Sequence, residues 1–416
     1  MYKRLTTAIV ASAATMLFLP TIAAQADDED GDEQPALVGR AVLPADALAS
    51  GPPSGAALGT GSINGIEFPR PRQPLAGFSA IVAGRERGEY LAMPDNGFGN
   101  KANSRDFLIR AYYVRPDFKT ARGGSGTVDV DAEQGEFIEF RDPDRLIGFP
   151  IVNEGTGARL LTGADIDPES LQRGANGDVW VGDEFGPWIL HFDATGKLLD
   201  APFATPGGLM SPSNPLLGGN PPTQPNSRGY EAMAISPKGT HLYAALEGAT
   251  VAETGSTHRQ VFEFSVRDEA FTGRVWSYQT EQPGFMVADM WALDGHRLVV
   301  IERDAGRGLD AIFRRVYVVD LKAKPVNGSL VKSVAVDLAS VPDPDLVSLP
   351  EVHGGDVGLG NPFRVTCESV EAIHPTSGNE LLIGCDNNLP NTGRNPTIAD
   401  DTELIVVSAP ALDDQP

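Results

Sequence analysis

The stretch Gly229-Tyr-Glu231-Ala-Met-Ala-Ile-Ser-Pro-Lys-Gly239, continued by His241-Leu-Tyr-Ala-Ala-Leu-Glu247-Gly248, decides the fold. It holds a short apolar run, a Ser-Pro-Lys-Gly turn and a second apolar run. An acid opens the first run and another closes the second. Runs of that length, bounded by Gly and Pro, read as the two strands of a hairpin rather than as turns of a helix.

The same unit recurs on both sides. Upstream are Gly77-Phe-Ser-Ala-Ile-Val-Ala-Gly84 with Glu89-Tyr-Leu-Ala-Met-Pro-Asp95-Asn96-Gly97, and Asp167-Pro-Glu169-Ser-Leu171 with Gly177-Asp-Val-Trp-Val-Gly-Asp183-Glu184. Downstream are Val287-Ala-Asp289-Met-Trp-Ala-Leu-Asp-Gly295 with Arg297-Leu-Val-Val-Ile-Glu302-Arg303, and Cys367-Glu-Ser-Val-Glu371-Ala-Ile-His-Pro375 with Glu380-Leu-Leu-Ile-Gly-Cys385-Asp386-Asn387. A third apolar run follows most units, at 188–192, 261–266, 315–321 and 404–408. Repeats of several short strands cannot bury their faces singly and must stack around an axis, which is the signature of propeller blades. The expected fold is therefore an all-β β-propeller of six blades, with five to seven admitted. The segments 37–43 and 62–68 either complete a further blade or close the ring with the C-terminus. A β-sandwich, or a pair of β-domains, is the alternative, but it gives no reason for the regular register of the acids.

The ends of the chain read differently. Lys3 and Arg4 precede an apolar stretch from Ala8 to Ala24 and the small-x-small site Ala24-Gln25-Ala26, the pattern of a cleaved signal peptide over 1–26. The acidic run Asp27-Asp-Glu-Asp-Gly-Asp-Glu33 repels itself and buries nothing, so 27–36 is expected to be a disordered tail. Residues 37–416 then form a single domain. Export makes the protein periplasmic or secreted, with no membrane contact after leader removal, and a monomer is expected. Two cysteines, Cys367 and Cys385, flank one hairpin turn; an oxidising compartment allows a disulfide, and two free thiols are the alternative. A net charge of −23 disfavours nucleic acid as a partner, and a bare phosphate substrate as well unless bound cations reverse the local field.

The acids fall at two places in each unit. Glu169, Glu231, Asp289 and Glu371 open the first strand; Asp95, Asp183 with Glu184, Glu247, Glu302 and Asp386 close the second. Where both are present they are 13 to 16 residues apart, a hairpin's length. In an antiparallel hairpin those two places share one edge, so around an axis the carboxylates converge on one mouth of the channel. Converging carboxylates repel unless protonated or neutralised, and calcium, which takes six to eight oxygens, suits them. The expected metal ligands are Asp95, Asn96, Glu169, Asp183, Glu184, Glu247, Asp289, Glu371, Asp386 and Asn387. Any one of them is equally well read as a turn cap. Arg228, Arg303, Lys101 and Arg105 stand beside the acids, either to grip an anion or as counter-ions. There is no G-x-S-x-G elbow, P-loop, dinucleotide fingerprint or zinc spacing.

As a set, Gly77-Phe-Ser-Ala-Ile81, Asp167-Pro-Glu-Ser-Leu171, Ser227-Arg-Gly-Tyr-Glu-Ala-Met-Ala-Ile-Ser-Pro-Lys-Gly239, Leu246-Glu-Gly-Ala249, Leu298-Val-Val-Ile-Glu-Arg303 and Glu368-Ser-Val-Glu-Ala-Ile373 resemble the phytase-like family, described as esterase-like activity of phytase. The resemblance spans about residues 60 to 410 and implies an exported propeller that hydrolyses phosphoric or other esters. The expected function is a calcium-dependent hydrolase of small phosphoric esters. Glu231 or Glu302 would serve as base, and Arg228 and Arg303 would steady negative charge. A ligand- or protein-binding propeller without turnover, and a metal-dependent carboxyl-ester or lactone hydrolase, use the same ring of oxygens.

Overall fold

The computed structural model describes residues 34–75, 77–130, 137–376 and 378–412, all within one compact unit, Gln34–Pro416. The expected signal peptide and most of the acidic tail lie outside the described residues.

The hairpins form where the Gly- and Pro-bounded apolar runs place them, and each extends into a four-stranded antiparallel blade. Blade 1 runs Ala80–Ala83, Tyr90–Met93, Arg110–Asp117 and Thr127–Val130; blade 2 runs Pro168–Arg173, Val179–Asp183, Trp188–Phe192 and Phe203–Ala204. Blade 3 comprises Tyr230–Ile235, His241–Leu246, His258–Ser265 and Ala270–Gln279; blade 4 comprises Met286–Ala292, Arg297–Arg303, Arg314–Asp320 and Lys332–Asp337. Blade 5 takes Ser369–Pro375, Glu380–Asp386 and Thr402–Ser408, and borrows its outermost strand, Leu37–Leu43, from the N-terminal end.

The described residues thus form five blades, the lower bound of the expected range. No sixth blade arises, because Leu37–Leu43 closes the ring against Thr402–Ser408, and Gly61–Ile63 and Ile66–Phe68 pair only with each other. The five innermost strands pack in a cycle, each against the next and the last against the first. The apolar core divides in the same way, into five clusters, one between each pair of neighbouring blades. Between blades 2 and 3, for example, Trp180 and Ile189 meet Tyr230 and Met233; between blades 5 and 1, Ala372 and Leu382 meet Ile81 and Ala92. Each blade buries both faces only because it has two neighbours. Cys367 and Cys385 form a disulfide that ties the entry of blade 5 to its second strand.

Candidate functional site

Four of the innermost strands carry a β-bulge at the same level. In blade 2, Pro168 pairs with Asp183 and Ser170 with Gly182, leaving Glu169 unpaired between them. Glu231 is bulged likewise in blade 3, Ala288 in blade 4 and Glu371 in blade 5. A bulge inserts one residue, redirects its side chain and shifts the alternation beyond it. Here it turns three glutamates towards the axis. Immediately past the facing strand's paired residue come Glu184, Glu247, Arg303 and Asp386, which reach the same place from the other side.

These two tiers line a cavity of about 210 Å³ at one mouth of the channel. Its walls carry nine carboxylates (Asp95, Asp167, Glu169, Glu184, Glu231, Glu247, Glu368, Glu371 and Asp386) against two guanidiniums, Arg228 and Arg303. Blade 4 is the exception that organises the rest: it places Ala288 and Arg303 where its neighbours place acids. Arg303 is buried and its Nη2 donates to Glu371 at 2.6 Å and Glu247 at 3.1 Å, with Glu231 at 3.5 Å. One half of the mouth is therefore neutralised from within.

The other half is not. Carboxylate oxygens of Asp95, Asp167 and Glu169 lie within 4.8 Å of one another, as do those of Glu169, Glu184 and Glu231, so Glu169 belongs to both groups. Among the described residues no guanidinium, ammonium or backbone N–H reaches Glu169, whose hydrogen-bonding neighbour is another acid, Asp167. Burial and mutual repulsion hold Asp167, Glu169, Glu184 and Glu231 well above the ordinary carboxylate range, and burial pushes Asp95 up to about 6. These are hard oxygen donors at irregular spacing, with too few guanidiniums beside them to balance their charge, which fits an oxygen-seeking cation such as calcium.

Ten of the expected residues meet at this mouth: Asp95, Asn96, Glu169, Glu184, Arg228, Glu231, Glu247, Arg303, Glu371 and Asp386. Four do not. Asp183 is buried one residue short of the mouth and accepts the N–H groups of Asp167 and Gly186. Asp289 follows the bulge instead of occupying it, and accepts the N–H groups of Met290 and of Ile373 in blade 5. Glu302 points away from the axis, where Tyr278, Lys332 and the Glu281 N–H satisfy it. Asn387 caps the N–H groups of Gly77 and Leu389. In the first three cases the sequence reading is one residue out of register, and one residue on a strand turns the side chain to the other face. Of the neighbouring cations, Lys101 donates to the Ser213 carbonyl at 2.7 Å.

Two acids of the mouth were not expected, Asp167 and Glu368. Asp167 sits two residues before Glu169 in the quoted motif, and Asn96 holds it with a 2.7 Å hydrogen bond. Glycine is required where the rim loops crowd: Gly97 has φ +91°, and a Cβ there would meet the Phe107 ring at 2.3 Å.

An uncharacterized secreted protein of Arthroderma benhamiae is 27% identical over 127 residues, which is 25% of this chain and 23% of that one. The chain thus matches about a quarter of that relative's length. Among solved structures, the Dos1 propeller is similar with a TM-score of 0.32 and 10% identity, over 83% of this chain and 72% of that one. A luciferin-regenerating enzyme is similar with a TM-score of 0.36 and 11% identity, over 89% and 96%. No helix among the described residues is long and apolar enough to cross a membrane. The family model described as phytase-like, esterase-like activity of phytase, matches residues 73–389, and the chain belongs to that family.

Proposed function

We propose that the mouth is the hydrolytic centre of an exported, calcium-dependent esterase acting on phosphoric esters. The observation that carries this reading is the pair of carboxylate groups joined at Glu169 and set beside two guanidiniums, one of them committed and one accessible. Asp95, Asp167, Glu169 and Glu184 would hold the cation, and Glu231 would stay unliganded beside it. When bound, it would neutralise a phosphate and polarise water at neutral pH.

The chain's own residues divide the remaining work. Arg303 is held by Glu247 and Glu371 and acts as the fixed counter-ion that positions them. Arg228 has a side chain 37% exposed and meets Glu247 at 2.6 Å, so it can turn from that carboxylate to an arriving phosphate oxygen. Glu231 lies between the cation half and Arg303. Burial, and repulsion by Glu371, Glu247 and Glu184, keep its proton affinity high, as a base that takes a proton from water requires. Glu302 has no part in this scheme. The leader pattern and the secreted relative support export.

The test is hydrolysis of phosphate mono- and diesters, and of lactones and aryl acetates beside them, by chelated and by calcium-reloaded protein. Turnover that appears only with calcium supports the proposal. Calcium binding with no turnover of any ester would leave a binding propeller, and turnover of lactones or aryl acetates alone would move the chemistry to carboxyl esters.

A further inference from the structure

A second cavity of about 200 Å³ adjoins the mouth, and Arg228 and Met286 line both. Its other walls are Pro225, Gly248, Ala249, Thr254, Gly255, Arg259, Pro283, Gly284 and Phe285. About half of this surface is apolar, and only Arg228, Thr254 and Arg259 bring polar side chains to it; the rest of its polar part is backbone. Thr254 spends its hydroxyl on the Val251 carbonyl. Arg259 is buried and spends its N–H groups on the carbonyls of Glu247, Ser256, His258, Pro283 and Phe285. It rivets together the two loops that form the walls and offers nothing to a ligand. Phe285 is fixed by stacking on Phe313, with ring centroids 4.3 Å apart. Only Arg228, at the boundary, remains to meet an anion.

We infer that this cavity receives the organic group of the ester, and that the preferred substrates carry one phosphate on a compact apolar or aromatic alcohol. The inference rests on the phosphoesterase reading and sharpens it. The anionic head would lie between Arg228 and the carboxylate-held cation, and the ring would lie against Phe285 and the Gly–Pro walls. A cavity of roughly 150 Å³ accommodates a benzene ring, so the volume here is large enough for one. A polyphosphorylated cyclitol is a poor fit, because its further phosphates would enter a chamber with a single cation at its entrance.

The test uses calcium-loaded protein and two non-hydrolysable probes, phenylphosphonate and methylphosphonate, with binding measured by titration calorimetry. Burying one ring predicts that phenylphosphonate binds about tenfold or more tightly than methylphosphonate. Gly284→Phe and Ala249→Phe each put bulk at a lining position, and a Cβ at Gly284 meets no atom within 4 Å. At least one of them is expected to erase the preference while methylphosphonate binding changes less than about twofold. Equal affinities in the parent protein, or a preference that survives both substitutions, overturns the inference. Turnover of phenyl phosphate, followed in parallel, separates the two readings. Ring preference without turnover sinks the hydrolase and keeps the pocket; turnover without ring preference does the reverse. Failure of both phosphonates to bind removes both.

Discussion

The guanidinium of Arg303 and the carboxylate of Glu371 meet at 2.6 Å across the boundary between blades 4 and 5. Arg303 stands at the level where the neighbouring blades present Glu184, Glu247 and Asp386. Replacing one acid of the ring by a cation changes the character of half the mouth. It binds Glu371, Glu247 and Glu231 together without an exogenous ion and leaves the remaining acids to compete for one.

Removing that cation strands buried carboxylates. Arg303→Met is expected to destabilise the chelated protein by about 3–5 kcal/mol, the usual cost of breaking a buried ion pair from one side. Urea unfolding in chelator measures it. A loss below about 1 kcal/mol would show that the Arg303 cluster is not the internal brace described here.

Glu169→Gln tests the shared ligand. The substitution removes an acid whose ionised form repels its neighbours, and the amide can still donate to Asp167, so the chelated protein is expected to keep or gain stability. The rise in Tm on adding calcium is expected to vanish. Asp289→Asn and Glu302→Gln are the contrast. Each weakens a hydrogen-bonded brace, costing about 1–3 kcal/mol, and leaves the calcium response intact. Thermal scans with and without calcium distinguish the two behaviours.

The pH dependence follows from Asp95 and Asp183, both pushed up to about 6, chiefly by burial, from an ordinary value of 3.8. Raised carboxyls hold their protons longer in the folded chain than in the unfolded one. Without cations, stability is therefore expected to fall as the pH rises from about 4 through 6, and to remain low above that. Bound calcium opposes the fall, because ligands must be deprotonated and its affinity grows over the same window. Tm against pH in chelator and in calcium should give curves that diverge as the pH rises from about 4 through 6 and stay apart above it.

The Cys367–Cys385 disulfide closes a loop with a sequence separation of 18. Cys367→Ala with Cys385→Ala is expected to cost about 3 kcal/mol, through a freer unfolded chain. Blade 5 also carries the ring closure, so the loss should appear as a lower midpoint of one cooperative transition. A separate early transition would mean that blade 5 unfolds alone.

The blades were legible because their apolar runs and Gly–Pro turns are local signals that survive any register. Their number was not: whether Leu37–Leu43 begins a blade or completes one depends on a partner more than 360 residues away, as in the Arg40–Glu403 contact. The mouth was legible as a ring of strand-end acids, with ten of its residues named. Asp289 and Glu302 were misplaced because a bulge cannot be seen in composition. Ala288, an unremarkable residue, takes the position that Glu231 and Glu371 occupy elsewhere, so Asp289 falls one residue past the mouth and Glu302 one residue short of it, while Arg303 reaches it. Asp167 could have been found two residues ahead of Glu169, but a Pro stands between them and masks the alternation.

The pairing of Leu37–Leu43 with Thr402–Ser408 has a mechanical consequence. The strands are antiparallel, Leu37 lies opposite Val407 and Leu43 opposite Thr402, so the two chain ends leave the ring side by side. A force pulling them apart would load the hydrogen bonds of this seam one after another, as in opening a zipper, and not all at once. The seam is therefore the first part of the ring to carry such a tension, and the disulfide one strand further in keeps the hairpin between Cys367 and Cys385 from being drawn out with it.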